Sequence, residues 1–274
     1  MARPTPGVTP PIPASGNASQ HIDDAAGSRT ARVTQPDSQR PGADLQREFL
    51  LQGVAARYGL APQVLSVDLA NRRSEVEFVA GAAWTAEDFS QAAQVRRLCL
   101  RLRDLHALSA PDVPRFDLRA VLIARFELLC ADKSLDAAEC ERLRRWHAHA
   151  LQRLAESGHP RRVARIVHCD LHAGNIVDSG ELRFIDWEYA QVSDPLLDLA
   201  AVLTYYPGVA NHGASLLEWS GRAADSTLTQ LADVSYAFLL INWYWCQLRA
   251  CGNAGDHGEQ EFAASLARRL DATA

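Results

Sequence analysis

The sequence predicts an α+β fold of two unequal lobes. A small β-rich lobe is expected over residues 15–80 and a larger, mainly helical lobe over residues 81–274, preceded by a loose or disordered arm at residues 1–14. Three observations carry this expectation. Before residue 80, short strand-like runs surround a single amphipathic helix. After residue 85, long segments repeat their apolar residues at helical spacing. From Ile166 to Ala200 the stretch IVHCDLHAGNIVDSGELRFIDWEYAQVSDPLLDLA packs His168, Asp170, His172, Asn175, Asp186, Glu188, Asp194 and Asp198 between strand-like apolar runs. Ordinary surface does not explain that density of polar groups.

A chain of 274 residues with 47% hydrophobic content can bury one large core or two small ones. The formal charge of -5 argues against a general nucleic-acid binder, and 22% charged residues argue against a charge-rich disordered chain. The six cysteines are scattered without a C-x-x-C pair, which fits buried thiols in a reducing cytosol better than disulfides or zinc. The start, MARPTPGVTPPIPASG, lacks the apolar segment of a secretory signal. The most apolar run, Val234 to Cys251, is broken by Ser235, Asn242, Gln247 and Arg249, whereas a membrane span needs about 20 predominantly apolar residues. A soluble, cytoplasmic protein without a membrane span is expected. Lys133 is the only lysine in the chain.

Residues 1–14 carry five prolines and no periodicity. Ser15 to Ser19 reads as a tight loop between two short strands, and the Gly27-Ser28 turn leads into a hairpin partner at Arg29–Thr34. A polar disordered arm is the alternative. Ala43 to Tyr58 is an amphipathic helix with Leu45, Phe49, Val54 and Ala55 on one face, Glu48 beside it and Gly59 stopping it. Gln63–Leu69 and Ser74–Val79 read as strands around an Asn71-Arg72-Arg73 turn, and Gly81 ends the second. Thr85-Ala86-Glu87-Asp88 is a capping signal for a helix running to about Leu108. Phe116–Asp132 and Leu135–Ala155 are the next helices, the second opening at Asp136 with Glu139 three residues on. In that helix His147 and His149 lie two apart and point to different sides, so they read as structural rather than as a metal pair.

In the polar stretch, Val163–Val167 is a strand and Cys169–Gly174 a loop. Asn175–Val177 and Leu182–Ile185 are strands joined by a turn at Asp178-Ser179-Gly180. Asp194-Pro195 starts a helix, Leu196–Tyr206, that carries Asp198 in its first turn. A start at Ser226 opens a long helix ending near Gly252-Asn253. Its aromatic cluster of Tyr236, Phe238, Trp243, Tyr244 and Trp245 is core, with one or two rings lining a pocket as the alternative. Glu259–Leu270 closes the chain.

The spacing Asp170 … Asn175 … Asp186 suggests a chemistry. Asp170 lies on a loop just after a strand, where a carboxylate reaches a substrate proton. Asn175 and Asp186 supply hard oxygen ligands of the kind Mg²⁺ takes alongside phosphate oxygens and water. Such a set matches phosphoryl transfer, which needs an oriented nucleophile and neutralised phosphate charge more than covalent help.

The pattern His168-Cys169-Asp170-Leu171-His172-Ala173-Gly174-Asn175, followed by Ile185-Asp186-Trp187-Glu188-Tyr189-Ala190, resembles the catalytic core of the aminoglycoside phosphotransferase and choline kinase superfamily, which has a protein-kinase-like fold. Within that superfamily its wording is most similar to bacterial thiamine kinases, then to bacterial choline kinases. The resemblance implies an ATP- and Mg²⁺-dependent kinase acting on a small-molecule hydroxyl. Asp170 would be the catalytic base, Asn175 and Asp186 the metal ligands, and His168 and Asp198 structural supports of the loop. His172, Trp187 and Glu188 would lie on the acceptor side. Beyond this core, Gln46-Arg47-Glu48-Phe49-Leu50 resembles the helix whose Glu48 pairs with a phosphate-gripping basic residue. Glu77 and Val79 fall in a hinge-like segment whose backbone would meet adenine.

One departure stands out. Protein kinases and many relatives hold the phosphates with a lysine on the third strand, and no lysine precedes Lys133. Arg32 is the expected occupant, with Arg29 the alternative, since arginine keeps its charge and binds phosphate bidentately. The phosphate-covering loop would be Ser15–Ser19, with Gly16 and Ser19 as nucleotide-binding residues. Thiamine is the first acceptor expected; choline, ethanolamine, an aminoglycoside or a sugar are the others. An acidic pocket floor with Trp187, Trp243, Tyr244 or Trp245 nearby would suit a cationic acceptor. Two other classes compete: a nucleotide-binding pseudokinase with a degenerate first lobe, and a metallohydrolase built on His168, Asp170 and His172.

Overall fold

A computed structural model describes residues 18–25, 27–34, 43–131, 135–157, 163–251 and 257–273. The 1–14 arm and Gly16 lie outside these residues. The fold is α+β and two-lobed, with a small antiparallel sheet first and a mostly helical body after it.

The first lobe is a four-stranded sheet in the order β1-β2-β4-β3, formed by β1 (Ala18–Asp24), β2 (Gly27–Val33), β3 (Val64–Asp68) and β4 (Arg73–Glu77). Ser19 is therefore not in a loop: it pairs with Arg32 inside the β1–β2 ladder, where its backbone finds partners that a tight loop would lack. The β3–β4 turn is held by Asp68, whose carboxylate accepts from the Asn71 backbone and side chain, with Arg72 at φ 54. Helix α1 (Leu45–Ala56) starts where Asp44 accepts from Arg47 N at 2.9 Å and stops before Gly59 at φ 67. It buries Leu45, Phe49, Leu51, Ala55 and Ala56, and also Glu48.

β5 (Ala82–Ala83) crosses between the lobes and pairs with β7 (Ile176–Asp178), which pairs in turn with β8 (Leu182–Phe184). The crossing is close. A Cβ at Gly81 would sit 2.6 Å from the Asp178 carbonyl oxygen. Thr85 and Asp88 do pair as the capping signal requires, but they close a 3-10 turn at Asp88–Ser90. Gln91 is extended, and helix α2 (Ala92–Ala107) begins only after it. Phe89 explains the short turn, since its buried ring stacks on Tyr206 at 3.7 Å and meets Trp84 edge-on.

α3 (Leu118–Ala131), α4 (Ala137–Ser157), α5 (Leu196–Tyr205), α6 (Ala214–Trp219), α7 (Leu228–Cys251) and α8 (His257–Thr273) complete the body. α4 opens on a reciprocal pair, Asp136 N to Glu139 Oε2 at 3.0 Å and Glu139 N to Asp136 Oδ1 at 2.8 Å. The start of α7 is capped by Thr227 rather than Ser226, because Thr227 has Gln230 three residues on to return the bond. α7 is buried on nearly every face, as a helix apolar all round must be, and α3, α4, α5 and α8 pack against it. No helix among the described residues is long and apolar enough to cross a membrane. β6 (Arg165–Val167) and β9 (Gln191–Ser193) pair at the junction of the lobes and carry the polar stretch.

Candidate active site

The chain leaves β6 at His168 and turns through Cys169, a non-glycine residue at φ 64. Such a backbone persists only when its surroundings over-determine it. Asp198, on the first turn of α5, does so: its Oδ1 accepts from His168 N at 2.9 Å and Cys169 N at 2.8 Å. Its Oδ2 accepts from His106 Nε2 of α2 at 2.8 Å, and both groups are buried. His168 Nε2 donates to the Ile185 carbonyl at 3.0 Å, while its Nδ1 accepts from Asp170 N at 3.3 Å. Burial pushes the His168 imidazole below its usual range despite the acidic groups around it, so the ring is neutral, as these two bonds require.

Asp170 is held at both oxygens. Oδ1 accepts from the Tyr205 hydroxyl at 2.6 Å, and Oδ2 accepts from Asn175 Nδ2 at 3.0 Å. The same Nδ2 donates to the Asp170 carbonyl at 2.9 Å. Asn175 reaches back because it ends a 3-10 turn over Ala173–Asn175 rather than starting the strand expected there. That turn is drawn in by His172, whose Nδ1 accepts from Gly174 N at 3.1 Å and whose O accepts from Asn175 N. Gly174 is needed for the approach, since a Cβ there would lie 3.0 Å from the His172 ring. His172 Nε2 lies 3.8 Å from Asp170 Oδ2. Tyr206 also supports the turn, its hydroxyl accepting from Ala173 N at 2.8 Å.

Asp186 follows β8 in the left-handed region, φ 59 and ψ 70. Arg32 Nη1 donates to its Oδ1 at 3.0 Å, and Arg32 Nη2 pairs with Glu48 of α1. Burial by itself lowers the pKa of Arg32, but Glu48, Asp186 and Glu188 outweigh it and raise the guanidinium above its ordinary value. Arg29 instead pairs with Asp24 and Glu75 on the sheet.

Two cavities meet at Asp186. One lies beneath the first-lobe sheet, and Ser19, Thr30, Arg32, Glu48, Glu77, Val79, Asn175 and Asp186 are among its walls. Thr30 and Arg32 project together because alternate residues of β2 share a face. The Glu77 carboxylate is engaged by Arg183 at 2.9 Å and by Gln63 N at 3.1 Å. The other cavity has Asp170, His172, Asp186, Glu188, Tyr189 and Arg125 together with the rings of Tyr205, Phe238, Trp245 and Phe262.

Trp187 does not face that cavity. It is fully buried, donates from Nε1 to the Phe184 carbonyl at 2.8 Å and packs edge-on against His168. The turn after Asp186 points it into the core and Glu188 outward to the cavity. Of the aromatic cluster on α7, Phe238 and Trp245 line the cavity, with Trp245 Nε1 donating to the Tyr189 hydroxyl at 3.0 Å. Trp243 and Tyr244 are core, packed on Trp146 and bonded to His147. Sequence reasoning missed His106, Tyr205, Arg125 and Phe262. A Tyr205-Tyr206 pair ending the Asp198 helix was the available signal for one of them.

The donor chemistry fits a magnesium–nucleotide complex. The two bonds from Asn175 Nδ2 fix its amide so that Oδ1 remains as acceptor, and the Asp186 carboxylate stands on the walls of both cavities. Few hard oxygens completed by phosphate and water suit Mg²⁺. Among the described residues no group of three or more His, Cys, Asp or Glu side chains is placed to hold a metal by itself, so a zinc hydrolase centre on His168, Asp170 and His172 lacks a ligand set there.

Residues 12–233 match the family model described as phosphotransferase enzyme family. Over 91 residues the chain is 40% identical to a thiamine kinase of Escherichia coli O17:K52:H18 (strain UMN026 / ExPEC), covering 32% of this chain and 31% of that protein. The chain thus spans about a third of the length of the curated relatives it matches. The fold superposes on a choline/ethanolamine kinase family protein from Mesorhizobium loti with a TM-score of 0.73 at 20% identity, covering 93% of this chain and 87% of that one. It superposes on choline kinase LicA from Streptococcus pneumoniae with a TM-score of 0.72 at 16% identity, covering 92% and 87%. LicA in complex with AMP matches with a TM-score of 0.70 at 15% identity, covering 95% and 94%. At these identities the likeness speaks for the fold, a two-lobed protein-kinase-like arrangement.

Proposed function

The chain belongs to the phosphotransferase enzyme family, and from that premise we propose that it transfers the γ-phosphoryl group of ATP to a hydroxyl of a small molecule, with thiamine as the first candidate acceptor. The observation that carries this reading is the meeting of two cavities at Asp186, with Asp170 on the wall of one and Asn175 on the wall of the other. Residues 15–80 would hold the nucleotide, Arg32 gripping its phosphates and the Glu77–Val79 backbone meeting the base. Residues 81–274 would hold the acceptor. Asn175 and Asp186 would hold Mg²⁺, which supplies neutralisation of the phosphate charge.

In the step proposed, the acceptor oxygen attacks the γ-phosphorus. The new O–P bond forms as the bond to the β–γ bridging oxygen breaks, ADP leaves with that electron pair, and the hydroxyl proton passes to Asp170. Both Asp170 oxygens already accept a hydrogen bond. A carboxylate has about four acceptor positions, so room for the substrate hydroxyl is left. Thiamine is favoured by the likeness to a thiamine kinase, 40% identical over 91 residues. A cationic acceptor is also favoured by the cavity itself, where Asp170, Asp186 and Glu188 supply negative charge and Tyr189 and Trp245 supply ring faces. That second observation keeps choline and ethanolamine in play. We place the reaction in the cytoplasm, where ATP is available.

The test is ATP consumption with Mg²⁺ against thiamine, choline, ethanolamine, aminoglycosides and simple sugars, comparing the wild type with Asp170→Ala. Acceptor-dependent ADP release that falls by about 10²–10⁴-fold in the variant is expected for loss of a general base. Unchanged transfer in Asp170→Ala would sink the reading.

A further inference from the structure

Tyr205 has the most direct side-chain contact with Asp170, yet it stands 35 residues further along the chain. We propose that Tyr205 is a positioning residue for phosphoryl transfer: its hydroxyl holds the Asp170 carboxylate in the one orientation that presents its open edge to the acceptor. The proposal rests on the reading of Asp170 as the base.

The geometry is over-determined. A carboxylate turns easily about its last bond, because that torsion is broad. Here Tyr205 fixes Oδ1 at 2.6 Å and Asn175 fixes Oδ2 at 3.0 Å, so each oxygen has its own donor. The phenol is itself held. It is buried, stacks on Phe262 of α8 with ring centroids 5.9 Å apart, and meets the His172 ring edge-on at 5.8 Å. Burial, and then the charge of Asp170, push the phenol well above its usual pKa, so the proton stays on Tyr205 and the hydroxyl donates.

α5 is what makes this contact precise enough to matter. Asp198 and Tyr205 lie seven residues apart, two turns along one face. Asp198 grips the backbone amides of His168 and Cys169 from the first turn, and Tyr205 grips the Asp170 side chain from the last. One rigid helix therefore sets both the path of the loop and the orientation of its carboxylate. A small misplacement at a reacting group costs far more rate than binding, so the hydroxyl is expected to act on turnover.

The test is Tyr205→Phe, which keeps the ring and its stacking on Phe262 while removing the hydroxyl. The expected result is a kcat lower by about 10- to 100-fold, with KM for ATP and for the acceptor within about threefold and the same nucleotide-induced thermal shift. Combined with Asp170→Ala, the Phe substitution should cost nothing further, because it acts only through the carboxylate. A purely structural role would instead lower the residual rate in both backgrounds. Tyr205→Phe at wild-type kcat, or a loss confined to KM, would overturn the proposal. The wild type offers a reading that does not depend on the variant folding. The Tyr205 hydroxyl proton should give a slowly exchanging, downfield NMR signal that disappears in Asp170→Ala, and its absence from the wild type would also overturn the proposal. Failure of the underlying reading looks different, since there Asp170→Ala itself keeps full activity.

Discussion

Arg32 sits with 12% of its side chain exposed between two carboxylates, Glu48 at 1% and Asp186 at 25%. Removing it does two separable things. Glu48 is left as a buried charge that has lost a partner, at a cost of about 3–5 kcal/mol for a broken buried pair. The cavity beneath the first-lobe sheet also loses the charge of Arg32. Arg32→Ala should therefore lower stability in urea titration and raise KM for ATP. Arg32→Lys should recover part of both, because an ammonium keeps the charge for Glu48 and for phosphate but cannot bridge two carboxylates in the planar fork of a guanidinium. Equal ATP affinity in wild type and Arg32→Ala would remove Arg32 from the nucleotide site. At this scale the sequence was readable where chemistry is local. Asp170, Asn175 and Asp186 lie on one short stretch with a recognisable order, and Arg32 could be singled out because no lysine precedes residue 133. His106 and Phe262 were not readable, because each reaches the site only through helix packing that no local spacing encodes. Trp187 was misread for a related reason. The left-handed turn at Asp186 decides which of its neighbours faces the cavity, and φ 59 at an aspartate leaves little trace in sequence.

The element that sets the lobes against each other is the short β5–β7 pairing, which begins beside Gly81. A Cβ at Gly81 would lie 2.6 Å from the Asp178 carbonyl oxygen and 2.8 Å from Val177 Cγ1, so backbone rather than a flexible side chain would have to move. Gly81→Ala should cost about 1–3 kcal/mol, as overpacking does, and should raise KM for ATP by shifting the wall that carries Val79. Gly53, in the interior of α1, is the control. Nothing lies within 4 Å of a Cβ there, so Gly53→Ala should stabilise by about 0.5–1 kcal/mol. Thermal melts of the two variants moving in the same direction would contradict this account. Caps were legible where the bonding groups are adjacent, as at Asp136 with Glu139. The Thr85–Asp88 pair shows the limit of such signals. The same bonds close a 3-10 turn as readily as an α-helix, and the choice lay with Phe89 and its stacking partner Tyr206, more than a hundred residues away.

Across the whole molecule, the cavity beneath the first-lobe sheet takes walls from both lobes: Arg32, Glu48 and Glu77 from one, Asn175 and Asp186 from the other. The lobes are joined by polar contacts between distant residues. Arg32 meets Asp186, Arg183 meets Glu77 at 2.9 Å, Arg47 Nε donates to the Ala190 carbonyl at 2.9 Å, and Arg101 Nη2 donates to the Gly59 carbonyl at 2.6 Å. A ligand that bridges such a cleft binds the folded chain and not the unfolded one. At a hundred times its Kd it adds about 2.7 kcal/mol to stability, which for a chain of this size corresponds to roughly 5–10 °C in Tm. ATP with Mg²⁺ should therefore raise Tm by that order, and ATP with EDTA by much less, because Asp186 and the phosphates would then face each other without a cation between them. Asp186→Ala should weaken the Mg²⁺-dependent part of the shift and raise the metal-free part, because the repulsion goes with the carboxylate. A shift in the wild type that is the same with and without EDTA would separate nucleotide binding from metal binding and take Asn175 and Asp186 out of the metal role. The first-lobe sheet and the helical body could be anticipated separately from periodicity. Their apposition could not, since it depends on pairings such as Arg32 with Asp186, 154 residues apart, and a stability that responds to ATP and Mg²⁺ together is the measurement that reports on that apposition directly.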